Sequence, residues 1–318
     1  MVHIKPCTVV KDLIEDICNR LDIFDPVEME EYTLFLRTKD EVTQIHFSRL
    51  RSTEYILDVT SEFARNKKDF SLVFQRTVWF FPFRQTDNNQ YNDLMFFQCL
   101  PDYMDNLLMV MKDGKLSHQD EEDMAFLGSL LYRAFDRVGT PTTKDLTYLL
   151  PGAVRKLSNY DPQKWINRIH HQSSEVMRRN PYDCKAKFVD ILARRPLFGS
   201  TFFVIKNPPT TPAIKGECLL AVNKNGIQFL KLQTHETILQ YSFSEVLSTR
   251  QYRNESNQHY LDMKLGNLMV QKIVRIETDQ GSDISNLIGQ YMQVIARNRK
   301  RPITDRSTLD RTSLQRYP

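Results

Sequence analysis

The sequence predicts an α+β chain of three lobes: a mixed α/β roll, a helical bundle, and an antiparallel sandwich closed by one helix. Three observations predict it. Apolar residues alternate along short segments before residue 82, recur at helical spacing from about residue 88 to 195, and alternate again after residue 196. At 318 residues the chain exceeds what one hydrophobic core usually serves. Asn225-Gly226, set between two apolar runs, is the strongest hairpin signal in the chain.

In the first segment, Thr8 is expected to cap a helix in which Val10, Leu13, Ile14, Ile17 and Leu21 recur at helical spacing. Tyr32, Leu34 and Leu36 alternate with Thr33 and Arg37, as a half-buried strand should, and Ile45 with Phe47 marks another. Tyr55, Val59 and Phe63 place a helix that runs up to Lys67-Lys68, after which Phe70, Leu72 and Phe74 alternate once more. The order resembles a ubiquitin-like roll. Such a roll opens with a two-strand hairpin, of which Met1–Ile4 supplies at most the second strand. The lobe is therefore expected to be incomplete, as in an excerpt from a longer protein.

The pattern changes after Trp79-Phe80-Phe81-Pro82. Ser117 followed by Asp120, Glu121, Glu122 and Asp123 marks a helix start, where a hydroxyl caps and the macrodipole favours negative charge. Met124, Leu127, Leu130, Leu131 and Phe135 form its buried stripe, and Gly139-Thr140-Pro141 is expected to stop it. Pro162 starts a helix carrying Trp165, Ile166, Ile169 and Val176; Pro181 starts another with Cys184, Phe188, Ile191 and Leu192. From Pro196 onward short apolar runs return at 201–205, 218–222, 227–230, 238–243, 246–250, 259–265 and 270–276. A last helix follows Gly281, with Ile284, Leu287, Ile288, Tyr291 and Ile295 on one side. Seven strands closed by a helix resemble a pleckstrin-homology or phosphotyrosine-binding sandwich.

Composition excludes several classes of function. The apolar (41%) and charged (26%) fractions are those of ordinary globular protein. No stretch approaches the roughly 20 apolar residues of a membrane span, and no signal-peptide pattern is read. Cys7, Cys18, Cys99, Cys184 and Cys218 are odd in number and scattered, which indicates neither a disulfide framework nor a zinc site. A reduced cytosolic setting with buried structural thiols is expected. Of the net charge of +4, residues 297–318 contribute +5, so the body before them is near neutral. A nucleic-acid-binding domain should carry its positive charge on a folded face.

No phosphate loop, nucleophile elbow, H-E-x-x-H or dinucleotide fingerprint occurs. His170-His171 cannot readily share a metal, since adjacent helical residues point about 100° apart. The acids at 120–123 lack the alternating ligands and turn glycine of a calcium loop. Asn254-Glu255-Ser256 fits a glycosylation sequon but is expected to be a plain loop. No cofactor, no metal and no catalytic residue is expected.

Roll, bundle and sandwich in this order resemble the FERM cloverleaf, whose middle lobe is a bundle of the acyl-CoA-binding-protein type. Phe74-Gln75-Arg76-Thr77-Val78-Trp79-Phe80-Phe81-Pro82, Asp93-Leu94-Met95-Phe96-Phe97-Gln98 and Pro196-Leu197-Phe198-Gly199-Ser200-Thr201-Phe202-Phe203 resemble the lobe junctions of FERM domains in unconventional myosin tails. Cys218-Leu219-Leu220-Ala221-Val222-Asn223-Lys224-Asn225-Gly226-Ile227, with Thr234-His235-Glu236, is most similar to class fifteen, then class seven. The expected lobes are 1–82, 83–195 and 196–297, with a basic tail at 298–318. The helical MyTH4 domain and the motor of such myosins are absent from this sequence, and Arg316-Tyr317-Pro318 lacks the hydrophobic end of a PDZ ligand. The expectation is a cut within a longer tail.

The resemblance implies a non-catalytic cargo-binding module of an actin-based motor, in the cytoplasm at the tips of filopodia, microvilli or stereocilia. Its partners would be cargo peptides and scaffold or adhesion proteins, and a fold-back onto the parent motor would silence it. The fifth strand of the sandwich, about residues 245–252, should lie at an edge beside the last helix, where a peptide can add as a strand. The groove residues implied are Ser248, Thr249, Arg250 and Gln251 on the strand and Ile288, Met292 and Ile295 on the helix, while Leu287 and Tyr291 seal the sandwich. The alternative is a phosphoinositide-dependent membrane–cytoskeleton linker, in which Arg299, Lys300 and Arg301 touch anionic lipid.

Overall fold

The computed structural model describes residues 4–39, 45–111, 115–206, 214, 216–267 and 269–300. Helix α1 (Val10–Arg20) buries Val10, Leu13 and Cys18, as its spacing predicts. Thr8 does not cap it. The N-cap is Val9, and the Thr8 hydroxyl instead accepts from Lys5 N at 2.9 Å. A neighbouring loop satisfies the orphan first-turn amides: Val10 N donates to Glu54 O (2.9 Å) and Lys11 N to Ser52 O (3.0 Å). A one-turn helix α2 (Pro26–Met29) starts on the Asp25 carboxylate. Strands β1 (Tyr32–Lys39) and β2 (Ile45–Arg49), helix α3 (Ile56–Arg65) and strand β3 (Phe70–Arg76) follow. The sheet is antiparallel in the order β2-β1-β3. Ile4 is in no strand and Met1–His3 lie outside the described residues, so the expected opening strand cannot be placed.

Helices α4 (Asn89–Met104), α5 (His118–Ala134), α6 (Leu146–Leu149), α7 (Pro162–Val176) and α8 (Pro181–Leu192) come next. The side chains of Asn88, Ser117, Asp161 and Asn180 accept first-turn amides at four of the five starts. Helix α5 stops earlier than Gly139: it ends at Ala134, and Asp136 takes the left-handed conformation at φ 57°. Asp136 can do so because Arg133 binds its carboxylate at 2.8 Å and accepts its N–H. Phe135 is consequently 38% exposed and is no core residue. The acids at the start of α5 have partners as well as a helix dipole. Asp120 and Asp123 bind Arg195 (2.6 and 2.5 Å), and Glu121 binds Arg168 of α7.

Strands β4 (Thr201–Ile205), β5 (Cys218–Asn223), β6 (Gly226–Lys231) and β7 (Thr237–Tyr241) form one antiparallel sheet in sequence order. Strands β8 (Val246–Arg253), β9 (His259–Gly266) and β10 (Gln271–Glu277) form a second, ordered β10-β9-β8. Helix α9 (Gly281–Arg299) closes the sandwich with Ile284, Leu287, Ile288, Tyr291 and Val294 buried. The hairpin expected at Asn225-Gly226 forms, with Gly226 as the first residue of β6. Asn223 pairs with Gly226, so Lys224 and Asn225 make the turn. Gly226 is required for another reason: at φ +120° a Cβ would lie 2.0 Å from Tyr241 O.

The segment leaving β3 ties the parts together. Trp79 is buried in the core built on the helices, whereas Val78 and Phe81 belong to the core of the sandwich. Arg76, fully buried, gives its guanidinium to Glu31 and to Phe81 O (2.9 Å), and Glu31 also accepts the amides of Phe80 (2.6 Å) and Phe81 (2.8 Å). Burial pushes the Glu31 carboxyl up to about 7, against the pull of Arg76 and the amides. Gln98 of α4 brackets the same residue, accepting from Arg76 N and donating to Arg76 O. His235, buried at φ 57°, meets Met109 O at 3.1 Å and joins the sandwich to the helices.

Candidate functional site

Strand β8 pairs with β9 and with no other strand among the described residues, so its second edge is open. An open edge leaves backbone N–H and C=O groups for an added strand. Alternation divides the four strand residues named from the sequence. Thr249 and Gln251 stand opposite Met263 and Leu261, both fully buried, and so face the sandwich interior and α9. Ser248 and Arg250 stand opposite Lys264 and Asp262 on the outer face. The structure therefore brings Thr249 and Gln251 to the groove and turns Ser248 and Arg250 away from it.

Helix α9 is fixed against this strand. Ser282 donates its hydroxyl to Gln251 Oε1 at 3.1 Å, and a Cβ on Gly281 would lie 3.4 Å from Gln251 Cγ. Farther along, the ring of Tyr291 stacks on Phe243 with centroids 5.2 Å apart. Residues at i, i+3, i+7 and i+10 share a helix face, so Ser282 defines the row facing β8: Ser282, Ser285, Gly289 and Met292. Met292 is half-buried on the sandwich core, and so is Ile295. Ile288 is 3% exposed and packs into that core beside Leu287 and Tyr291. A ligand could not reach it without opening the sandwich.

Three groove residues escaped the sequence reading. Ser282, Ser285 and Gly289 are small and polar, and the signal for them was their spacing from Met292. The Ser285 hydroxyl is buried and finds no partner among the described residues. A Cβ on Gly289 would meet nothing within 4 Å, so open space lies above the row. The site is thus a trough with an unpaired strand edge on one wall, open space over Gly289 on the other and a half-buried methionine at its end. Such a trough can hold an extended backbone.

Arg299 and Lys300, the basic residues named from the sequence, are exposed at the end of α9; Arg301 lies outside the described residues. A second crevice, about 480 Å³, runs between the outer side of β3 and α4, lined by Val73, Phe74, Leu94 and Phe97 with three glutamines and Asp93. No group of three metal-ligating side chains occurs among the described residues, and His170 and His171 are exposed on α7. Cys18, Cys99, Cys184 and Cys218 are buried as expected, and burial raises the thiol of Cys18 to about 12 and those of Cys184 and Cys218 to about 11. Cys7 departs from that expectation and is exposed, since it precedes α1 and joins no core. Asn254 sits in a loop with its side chain bonded to Gln258.

Comparison with known proteins gives a consistent result. A family model described as a PTB domain (IRS-1 type) matches residues 203–296. The human unconventional myosin-XV is 28% identical over 294 residues, which is 92% of this chain and 8% of that protein. Drosophila melanogaster myosin-VIIa is 24% identical over 314 residues, 94% of this chain and 14% of that protein. The chain therefore spans a small part of the relatives it matches. Among solved structures, the human myosin 7b C-terminal MyTH4-FERM domain, in complex with the harmonin-a PDZ3 domain, aligns with a TM-score of 0.70 at 20% identity. That alignment covers 91% of this chain and 56% of that one. The complex of the FERM and C-terminal domains of Drosophila Merlin aligns at 0.64 and 15% identity, covering 94% and 93%.

Proposed function

Because this chain is a FERM domain of the unconventional-myosin tail type, we propose that it is a non-catalytic adaptor module that binds extended peptide segments of partner proteins. The observation that carries this reading is the trough between β8 and α9, where the open strand edge lies beside the empty space over Gly289. Backbone pairing along β8 would supply affinity, and alternate side chains of the peptide would meet Thr249, Gln251 and Met292. The likeness to a myosin 7b tail region solved with a PDZ domain supports a protein partner. In this reading the module carries cargo for an actin-based motor in the cytoplasm.

The test is selection of peptides from a displayed library on the whole chain, followed by titration of the best peptide against variants. Met292→Glu or Thr249→Trp is expected to weaken the peptide at least about tenfold while the thermal melt stays in place, since hot spots concentrate in the centre of such a groove. Full affinity in both variants removes the groove from the proposal. Exposed Arg299 and Lys300 favour lipid attachment as a second reading. It predicts cosedimentation with anionic vesicles that weakens at high salt.

A further inference from the structure

The two ends of the β8–α9 trough differ in charge. Helix α9 runs antiparallel to β8: its first turn meets Gln251 through Ser282, and Tyr291, farther along, stacks on Phe243 just ahead of the strand. The walls between those points are uncharged, being made by Thr249, Gln251, Gly289 and Met292. At the end beside Gln251 the charges balance. Asp283 is close enough to Arg49 of β2 for the two to interact. Arg253, at the end of β8, pairs across the sheet with His259, which lies 3.8 Å from Asp279, and Arg253 and Asp279 are both exposed. That end offers a ligand no net charge.

At the other end the free charge is positive. Arg299 stands two turns beyond Met292, and Lys300 one turn beyond Ala296 and three beyond Gly289, so both continue the helix line that faces β8. Both are exposed, and neither has an ion-pair partner among the described residues. Two acids at this end are already taken. Glu30 binds Arg297, and the Glu245 carboxylate accepts the Ser242 amide (2.8 Å) and hydroxyl (2.7 Å). The C-terminal dipole of α9 repels an anion with about half a charge, so two cations leave a surplus that attracts one. A strand added antiparallel to β8, the commoner pairing, runs in the same direction as α9. Its residues beyond Met292 therefore pass the last two turns of the helix. Gly289 and Arg299 are about 15 Å apart along the axis, and basic side chains on a helix lean back towards its start. An extended chain covers that distance in about three to five residues.

We propose that the trough selects peptides in which a large apolar residue is followed, about three to five residues later, by a carboxylate. The apolar side chain fills the space over Gly289, where nothing lies within 4 Å of a Cβ, and the carboxylate meets Arg299 and Lys300. The inference rests on the peptide-binding reading of the trough and adds its specificity and the direction of the bound chain. Random displayed peptides are selected on the whole native chain and, in parallel, on the double variant Arg299→Glu, Lys300→Glu. The native chain should enrich the apolar-then-acid order, and the variant should enrich lysine or arginine where the acid stood. The best native peptide should bind the variant about tenfold more weakly, with little change in the melt because both positions are exposed. Changing its acid to the amide should lose about fivefold on the native chain and nothing further on the variant. Lys264→Glu, on the outer face of the sheet, should change affinity less than about twofold, as a distant and screened charge. Peptides weakened by Met292→Glu but indifferent to the double variant overturn this inference and leave the trough standing. Native peptides without the acid, or an equal loss in Lys264→Glu, overturn it too. If no peptide is selected, or Met292→Glu weakens none, the trough reading itself falls and takes the inference with it.

Discussion

The hydroxyl of Tyr291 accepts the backbone N–H of Trp79 across 3.1 Å, joining the last helix to the segment that leaves the first sheet. The same hydroxyl donates to Gly199 O at 3.3 Å, where the sandwich begins. Gly199 takes φ +68°, and a Cβ there would stand 2.5 Å from Trp79 Cβ. Residues from three distant stretches thus converge on one phenol, and the helix that carries Met292 is held by it. Tyr291→Phe should leave two buried backbone groups unpaired and cost about 1–3 kcal/mol, seen as a lower denaturation midpoint. An unchanged midpoint would mean that water replaces the hydroxyl.

Much of the fold was legible because its elements are amphipathic, while long-range junctions were not. Helix α1, the helix starts at Ser117, Pro162 and Pro181 and strands β4 to β10 follow from spacing and start signals that sit within a few positions of each other. Glu31 and Arg76 are 45 residues apart, and nothing near either one announces a buried pair. The same limit explains Thr8: its sequence context fits a cap, but the loop at 52–54 reaches the helix first. In the groove, sequence found the strand and Met292. It could not tell the inner face of β8 from the outer, because Leu247 at the bulge shifts the register that alternation would need.

Gly289 separates stability from binding in the trough. It lies inside α9 with nothing near its missing Cβ, so Gly289→Ala should raise stability by about 0.5–1 kcal/mol through the lost backbone freedom of glycine. Gly289→Leu should melt no lower than the native chain. Yet a leucine projects into the space a peptide would fill, so selected peptides should lose about tenfold in affinity. A leucine variant that binds as well as the native chain would place the peptide elsewhere.

The thiols should divide by reactivity. Alkylation requires thiolate, and burial holds Cys18 at about 12 and Cys184 and Cys218 at about 11. Cys99 is raised as well, by burial and then by Asp102. Exposed Cys7 should therefore take iodoacetamide at pH 8 within minutes in the folded chain, and mass spectrometry after digestion should find the other four unmodified. Adding denaturant should expose all five together. Early labelling of Cys218 in buffer would show that the sandwich opens more readily than its packing implies.

Asp102 gives the chain a pH dependence of unusual sign. It lies in the last turn of α4, where the helix dipole disfavours an anion, and burial followed by the nearby Asp105 pushes its carboxyl up to about 7. In the unfolded chain the group should release its proton near about 4. Between those values the native state holds more protons than the unfolded one, so this residue makes stability fall as pH rises. Asp102→Asn keeps the side chain neutral and removes that slope. The variant should match the native chain near pH 4 and exceed it at pH 8 by about 1–3 kcal/mol, a range reduced for the part of the side chain that solvent reaches. Denaturant unfolding of both proteins at the two pH values decides it, because every other carboxylate cancels in the difference. An equal difference at both values would show that Asp102 ionises in the folded chain as freely as in the unfolded one.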